Sequence, residues 1–97
     1  MQRNAKKAYT VLKNAGVPVM KNNWDDTAHF EIAFEDTHLL LPMLERKAKN
    51  RRAKVYWADY YGEFYDMEGT QDLNDLLRQN GLYFEWINAA VVGVYDD

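Results

Sequence analysis

The length of 97 residues predicts one domain, spanning 1–97. A composition of 47% hydrophobic and 14% aromatic residues excludes a disordered chain, and the lack of cysteine excludes a disulfide framework or a thiolate metal site. The formal charge of −3 conceals opposite halves: residues 1–57 hold 11 Lys/Arg against 6 Asp/Glu, and residues 58–97 hold 1 against 9.

Ala5, Ala8, Tyr9, Leu12 and Ala15 recur at helical spacing and predict a first helix over Arg3 to Ala15, stopped by Asn14 and Gly16. Val17 to Met20 is extended, and Pro18, which cannot donate to a ladder, limits it to an edge strand. Asn22, Asn23, Asp25 and Asp26 form a turn cluster around Trp24. A half-buried strand follows, with Ala28, Phe30, Ile32 and Phe34 on one face and His29, Glu31 and Glu35 on the other. Pro42 opens a short helix with Met43, Leu44 and Ala48 inward and Arg46, Lys47 and Lys49 toward water.

Lys54 to Asp66 reads as an aromatic strand, bent at Gly62. Thr70 is the expected N-cap of a helix whose buried stripe is Leu73, Leu76 and Leu77 and whose end is Asn80-Gly81. Leu82 to Ile87 is a further strand, and Ala90 to Tyr95 continues it or returns after a turn at Asn88-Ala89. This order predicts an α+β fold: an antiparallel sheet of about four strands with two to three helices packed mainly on one face. No apolar run approaches the roughly 20 residues of a membrane span. The N-terminus has no continuous hydrophobic stretch of the signal-peptide kind, so the expected location is the cytoplasm.

Enzymatic chemistry finds little to stand on. Cysteine and serine are both absent, and the threonines at 10, 27, 37 and 70 have no identifiable base beside them. There is no phosphate-cradling glycine run. His29 and His38, with Glu31, Glu35 and Asp36, match no zinc spacing. The expectation is a protein with no enzymatic activity, no cofactor and no metal.

Two charged stretches remain. The segment RKAKNRRAK, residues 46–54, carries six positive charges in nine residues and is suited to phosphates. A solvated helix exit, whose charges favour the helix C-terminus, is the plainer explanation. In the acidic half, Asp59, Glu63, Asp66, Glu68, Asp72, Asp75 and Glu85 are interleaved with Tyr60, Tyr61, Phe64, Tyr65, Tyr83 and Trp86. Tyrosine among carboxylates supplies contact area and charge to an interface, although solubility alone also accounts for the acids.

The stretch ADYYGEFYDMEGTQDLNDLL, residues 58–77, in so small a chain, resembles the small phage-type anti-CRISPR inhibitor proteins, the kind that imitates DNA. The basic segment 46–54 departs from a full duplex mimic. The resemblance implies a host-cytoplasmic inhibitor that binds a nucleic-acid-handling protein complex, such as a CRISPR effector, and competes with DNA. Its binding residues would be Asp59, Tyr60, Tyr61, Glu63, Tyr65, Asp66, Glu68, Asp72 and Asp75. The alternative is direct nucleic-acid binding through Arg46, Lys47, Lys49, Arg51, Arg52 and Lys54. A third possibility is self-association through an exposed edge of the sheet.

Overall fold

The structure is a computed structural model that describes residues 1–21, 24–34, 49, 54–58 and 68–97, with 68 and 69 described by backbone alone. The chain opens with helix α1, Arg3–Asn14, which buries Ala5, Ala8 and Leu12 completely. Those positions lie one turn apart, so small residues bring the helix close to the sheet and Leu12 fills the space at its end. Gly16, at φ 86°, ends it. Its N–H donates to the Lys13 carbonyl at 3.0 Å, and the Val17 N–H donates to the Leu12 carbonyl at 3.0 Å. This is a Schellman closure, completed by burial of both Leu12 and Val17.

The sheet has four strands: β1 Val19–Met20, β2 Phe30–Ala33, β3 Leu82–Trp86 and β4 Val91–Asp96. Their order is β1-β2-β4-β3 and every pairing is antiparallel. β1 is an edge strand, as Pro18 requires, although the Pro18 carbonyl still accepts from the Ala33 N–H at 3.0 Å. β3 and β4 form a hairpin, so the chain returns after Asn88-Ala89 rather than running on. Ahead of β3 in the chain runs helix α2, Glu68–Gln79, whose Leu73 and Leu77 are fully buried and whose Leu76 packs beside them. Gly81, at φ 68°, takes the left-handed position after it.

Register fixes the two faces. Phe30 pairs with Val94 and Ile32 with Val92, while Phe84 pairs with Val94 and Trp86 with Val92. These residues form the helix-covered face, where they meet Leu12, Leu73 and Leu77 in one core. The Tyr9 ring stands edge-on to Phe30, with centroids 5.4 Å apart. α1 contacts β1 and α2 contacts β3, at opposite edges of the sheet. The helices touch at their ends, where the Asn4 amide donates to the Asn80 carbonyl at 2.7 Å.

Three expectations need revision. Thr70 is not the cap of α2: the helix starts two residues earlier, at Glu68, which places Thr70 inside the first turn. Its hydroxyl is buried without a partner among the described residues. The strand at 28–34 is not half-buried, because Glu31 on its second face is as inaccessible as Phe30 on its first. Residues 54–58 join no strand ladder among the described residues, yet Val55, Tyr56, Trp57 and Ala58 are all buried in the core. Lys49 is helical and exposed. The rest of the expected short helix, His38 and the remainder of the expected strand to Asp66 lie outside the described residues.

The α2 stripe makes a direct stability prediction. Leu73→Ala should cost about 2–5 kcal/mol, because a fully buried leucine leaves a cavity. Exposed Gln71→Ala on the same helix should stay within about 0.5 kcal/mol of the parent. Urea denaturation of the two variants checks the orientation of the helix.

Candidate interaction face

The sheet face turned away from the helices carries a row of paired positions. Met20 lies opposite Glu31, Glu31 opposite Gly93, and Gly93 opposite Glu85. In the neighbouring row Tyr83 pairs with Tyr95, their ring centroids 5.7 Å apart. Two acids thus stand two strands apart with a glycine between them, a separation of about 9–10 Å.

Gly93 is required there by close approach. A Cβ at this position would meet the Tyr95 ring, 2.8 Å from Cζ and 3.0 Å from Cε2, with the hydroxyl nearer still. The ring therefore lies back across Gly93 and points its hydroxyl at Asp25, donating to Oδ2 at 2.7 Å.

Asp25 belongs to the connection between β1 and β2, which folds onto this face. Its Oδ1 accepts from the Thr27 N–H at 2.9 Å and the Thr27 hydroxyl at 2.7 Å, closing an Asx turn. Glu31 holds the same turn from below. Its Oε2 accepts the backbone N–H of Trp24 at 2.9 Å and of Asp25 at 2.8 Å. The backbone of Trp24 is thus fixed, while its side chain is 62% exposed. Acidic, aromatic and positioned from several sides, the face comprises Trp24, Asp25, Glu31, Tyr83, Glu85 and Tyr95, with exposed Asp26 beside it.

Proton affinities follow from this geometry. The Asp25 carboxyl is held below its usual 3.8, first by the Thr27 hydroxyl, then by Tyr95 and the Thr27 backbone. The Tyr95 phenol is pushed up from 10.0 to about 12, first by burial, then by its bond to Asp25 and the charges of Asp25, Glu85 and Glu31.

The residues singled out in the sequence are distributed differently. Asp75 is exposed on α2, Asp72 is half-buried there, and Glu68 opens the helix. Asp59, Tyr60, Tyr61, Glu63, Tyr65 and Asp66 lie outside the described residues. Of the basic segment, Lys49 and Lys54 are exposed, while Arg46, Lys47, Arg51 and Arg52 lie outside the described residues. His29 sits one residue before β2 rather than out on its face, half-buried, with Nε2 2.8 Å from Asp96 Oδ1. No group of three or more His, Asp or Glu is placed to hold a metal among the described residues, and no helix there is long and apolar enough to cross a membrane.

Sequence reasoning missed Trp24, Asp25, Glu31 and Tyr95. The available signals were a tryptophan stranded in a polar turn cluster and a glycine two residues before a tyrosine within a strand. No family model, curated protein or solved structure matches this chain.

The Tyr95 shift sets the alkaline behaviour of the fold. A phenol whose pKa is raised by folding contributes stability that is complete below about pH 10 and is lost as pH rises toward 12. Asp25 has the opposite sign: its contribution is present above pH 3.8 and is lost as pH falls through its lowered value. Tyrosinate absorbance should show a late step near pH 12 that Tyr95→Phe removes, and the variant should lose less stability than the parent between pH 10 and 12.

Proposed function

We propose that this protein is a non-enzymatic inhibitor that docks on a basic surface of a nucleic-acid-handling protein complex and competes with nucleic acid there. The observation that carries this reading is Trp24, 62% exposed on a turn whose backbone is held by the fully buried Glu31. A turn fixed in this way presents the indole with little ordering left to lose on binding. Tryptophan is among the residues that most often anchor interfaces.

The surroundings define the partner's chemistry. Asp25 and Asp26 follow Trp24 directly, and Glu85 and Tyr83 stand exposed on the same sheet face. Residues 68–97, which form α2, β3 and β4, hold six acids against Arg78 alone. A complementary surface is therefore rich in Lys and Arg, and an arginine could lie against the Trp24 ring while its charge meets Asp25 or Asp26. Basic surfaces of that kind are where nucleic-acid-handling complexes hold phosphates. A CRISPR effector is the complex suggested by the likeness in character to DNA-mimicking inhibitors. Aromatic area would slow dissociation, and carboxylates would speed encounter and exclude the nucleic acid.

The test is capture of a partner from a lysate that contains a CRISPR effector, followed by competition with its DNA. Trp24→Ala should weaken capture by about 2–4 kcal/mol, or roughly 30- to 1,000-fold. Its melting temperature should change little, because the side chain is exposed. Glu85→Lys should mainly lower the association rate and its salt dependence. A captured complex that still binds DNA, or capture that Trp24→Ala leaves unchanged, would contradict the proposal.

A further inference from the structure

A second feature lies on the opposite charge. Lys6, Tyr9, Thr10, Lys13 and Asn14 follow one another at helical spacing along one face of α1. Together with Met1, Lys21, Ala28 and His29 they line an open groove of about 740 Å³. Lys6, Lys13 and Lys21 are all exposed, and none of them forms an ion pair among the described residues. No acid is among the described lining residues. Asp96 Oδ1 lies 2.8 Å from Nε2 of the lining residue His29.

Residues 1–21 contain five Lys/Arg and no Asp or Glu, so nothing within this stretch offsets the charge. A solvated helix face would account for lysines on a convex surface. Here three of them converge on a concavity that also presents the half-buried Tyr9 ring and the exposed Asn14 amide. Lys6 and Lys13 are seven residues apart, which is about 10.5 Å along the helix axis. That spacing suits an anion that carries charge along its length better than a single phosphate.

We propose that this groove binds a single-stranded nucleic acid, with Lys6, Lys13 and Lys21 on successive phosphates and Tyr9 available to a base. Lysine point charges hold a phosphodiester backbone without reading sequence, and an aromatic side chain adds stacking that every base can supply. The inference is independent of the acidic face and uses none of residues 46–54.

The experiment is fluorescence anisotropy of labelled oligothymidylate and oligouridylate with the full chain at low salt. The parent should bind both, with log affinity falling against log salt at a slope of about −2, as three phosphate contacts on a single strand require. Reversal of Lys6, Lys13 and Lys21 together to Glu should weaken binding by about tenfold or more, and their replacement by Gln should flatten the slope toward zero. All three side chains are exposed, so the melting temperature serves as the folding control and the Gln variant as the milder substitution. Failure of the parent to bind either oligonucleotide would overturn the proposal. So would a loss below about tenfold on charge reversal, or binding only to phosphatidylserine vesicles.

Discussion

The carboxylate of Glu31 is fully buried in the second strand of the sheet, and it accepts the backbone N–H groups of Trp24 and Asp25. A carboxylate removed from water is costly unless hydrogen bonds replace its hydration, and bonds to a charged acceptor contribute about 1.5–3 kcal/mol each. The turn and the acid therefore require each other. Without the turn Glu31 would lose two charge-assisted hydrogen bonds, and without Glu31 two backbone donors would have to find water. The same contact fixes Asp25 where Tyr95 can reach it, and Tyr95 can reach it only because residue 93 is glycine. Five residues on three chain segments thus act as one device, with the exposed indole of Trp24 as its outward part.

Strand order converts the uneven charge of the sequence into geometry. The basic N-terminal helix lies by β1 at one edge of the sheet, and the acidic C-terminal helix lies by β3 at the other. An ion pair between His29 and Asp96 joins the two halves of the chain, while Lys6 and Lys13 of α1 form none among the described residues. Opposite charges held apart on one small body give it two electrostatically distinct surfaces. The acidic and aromatic face suits a basic protein, and the lysine-lined groove suits a polyanion.

The fold class was legible because periodicity reports burial. The stripes of α1 and α2 and the breaks at Gly16 and Gly81 each carry a local cause, and all four features are present in the structure. Edge placement of β1 followed from Pro18 alone. The start of α2 was misread because threonine is a good cap wherever it occurs, and nothing local shows that the helix has already begun. Burial of Glu31 was illegible for a different reason. Alternation assigns a polar residue to solvent, and only the return of the β1–β2 connection onto that face reverses the assignment. The sequence pointed to an acidic and aromatic surface within residues 58–77, whereas the described face is assembled from distant segments. Tyr95 and Asp25 are 70 residues apart, a pairing that no spacing rule contains.

Amide hydrogen exchange on the parent and on Glu31→Ala measures the brace itself. The account predicts that the amides of Trp24 and Asp25 are protected in the parent despite lying in a surface turn. Both should exchange at nearly unprotected rates in the variant, while the β2–β4 ladder amides of the variant stay protected. Trp24 and Asp25 amides that exchange freely in the parent, or that remain protected without the Glu31 carboxylate, would contradict the claim that this buried acid holds the tryptophan in place.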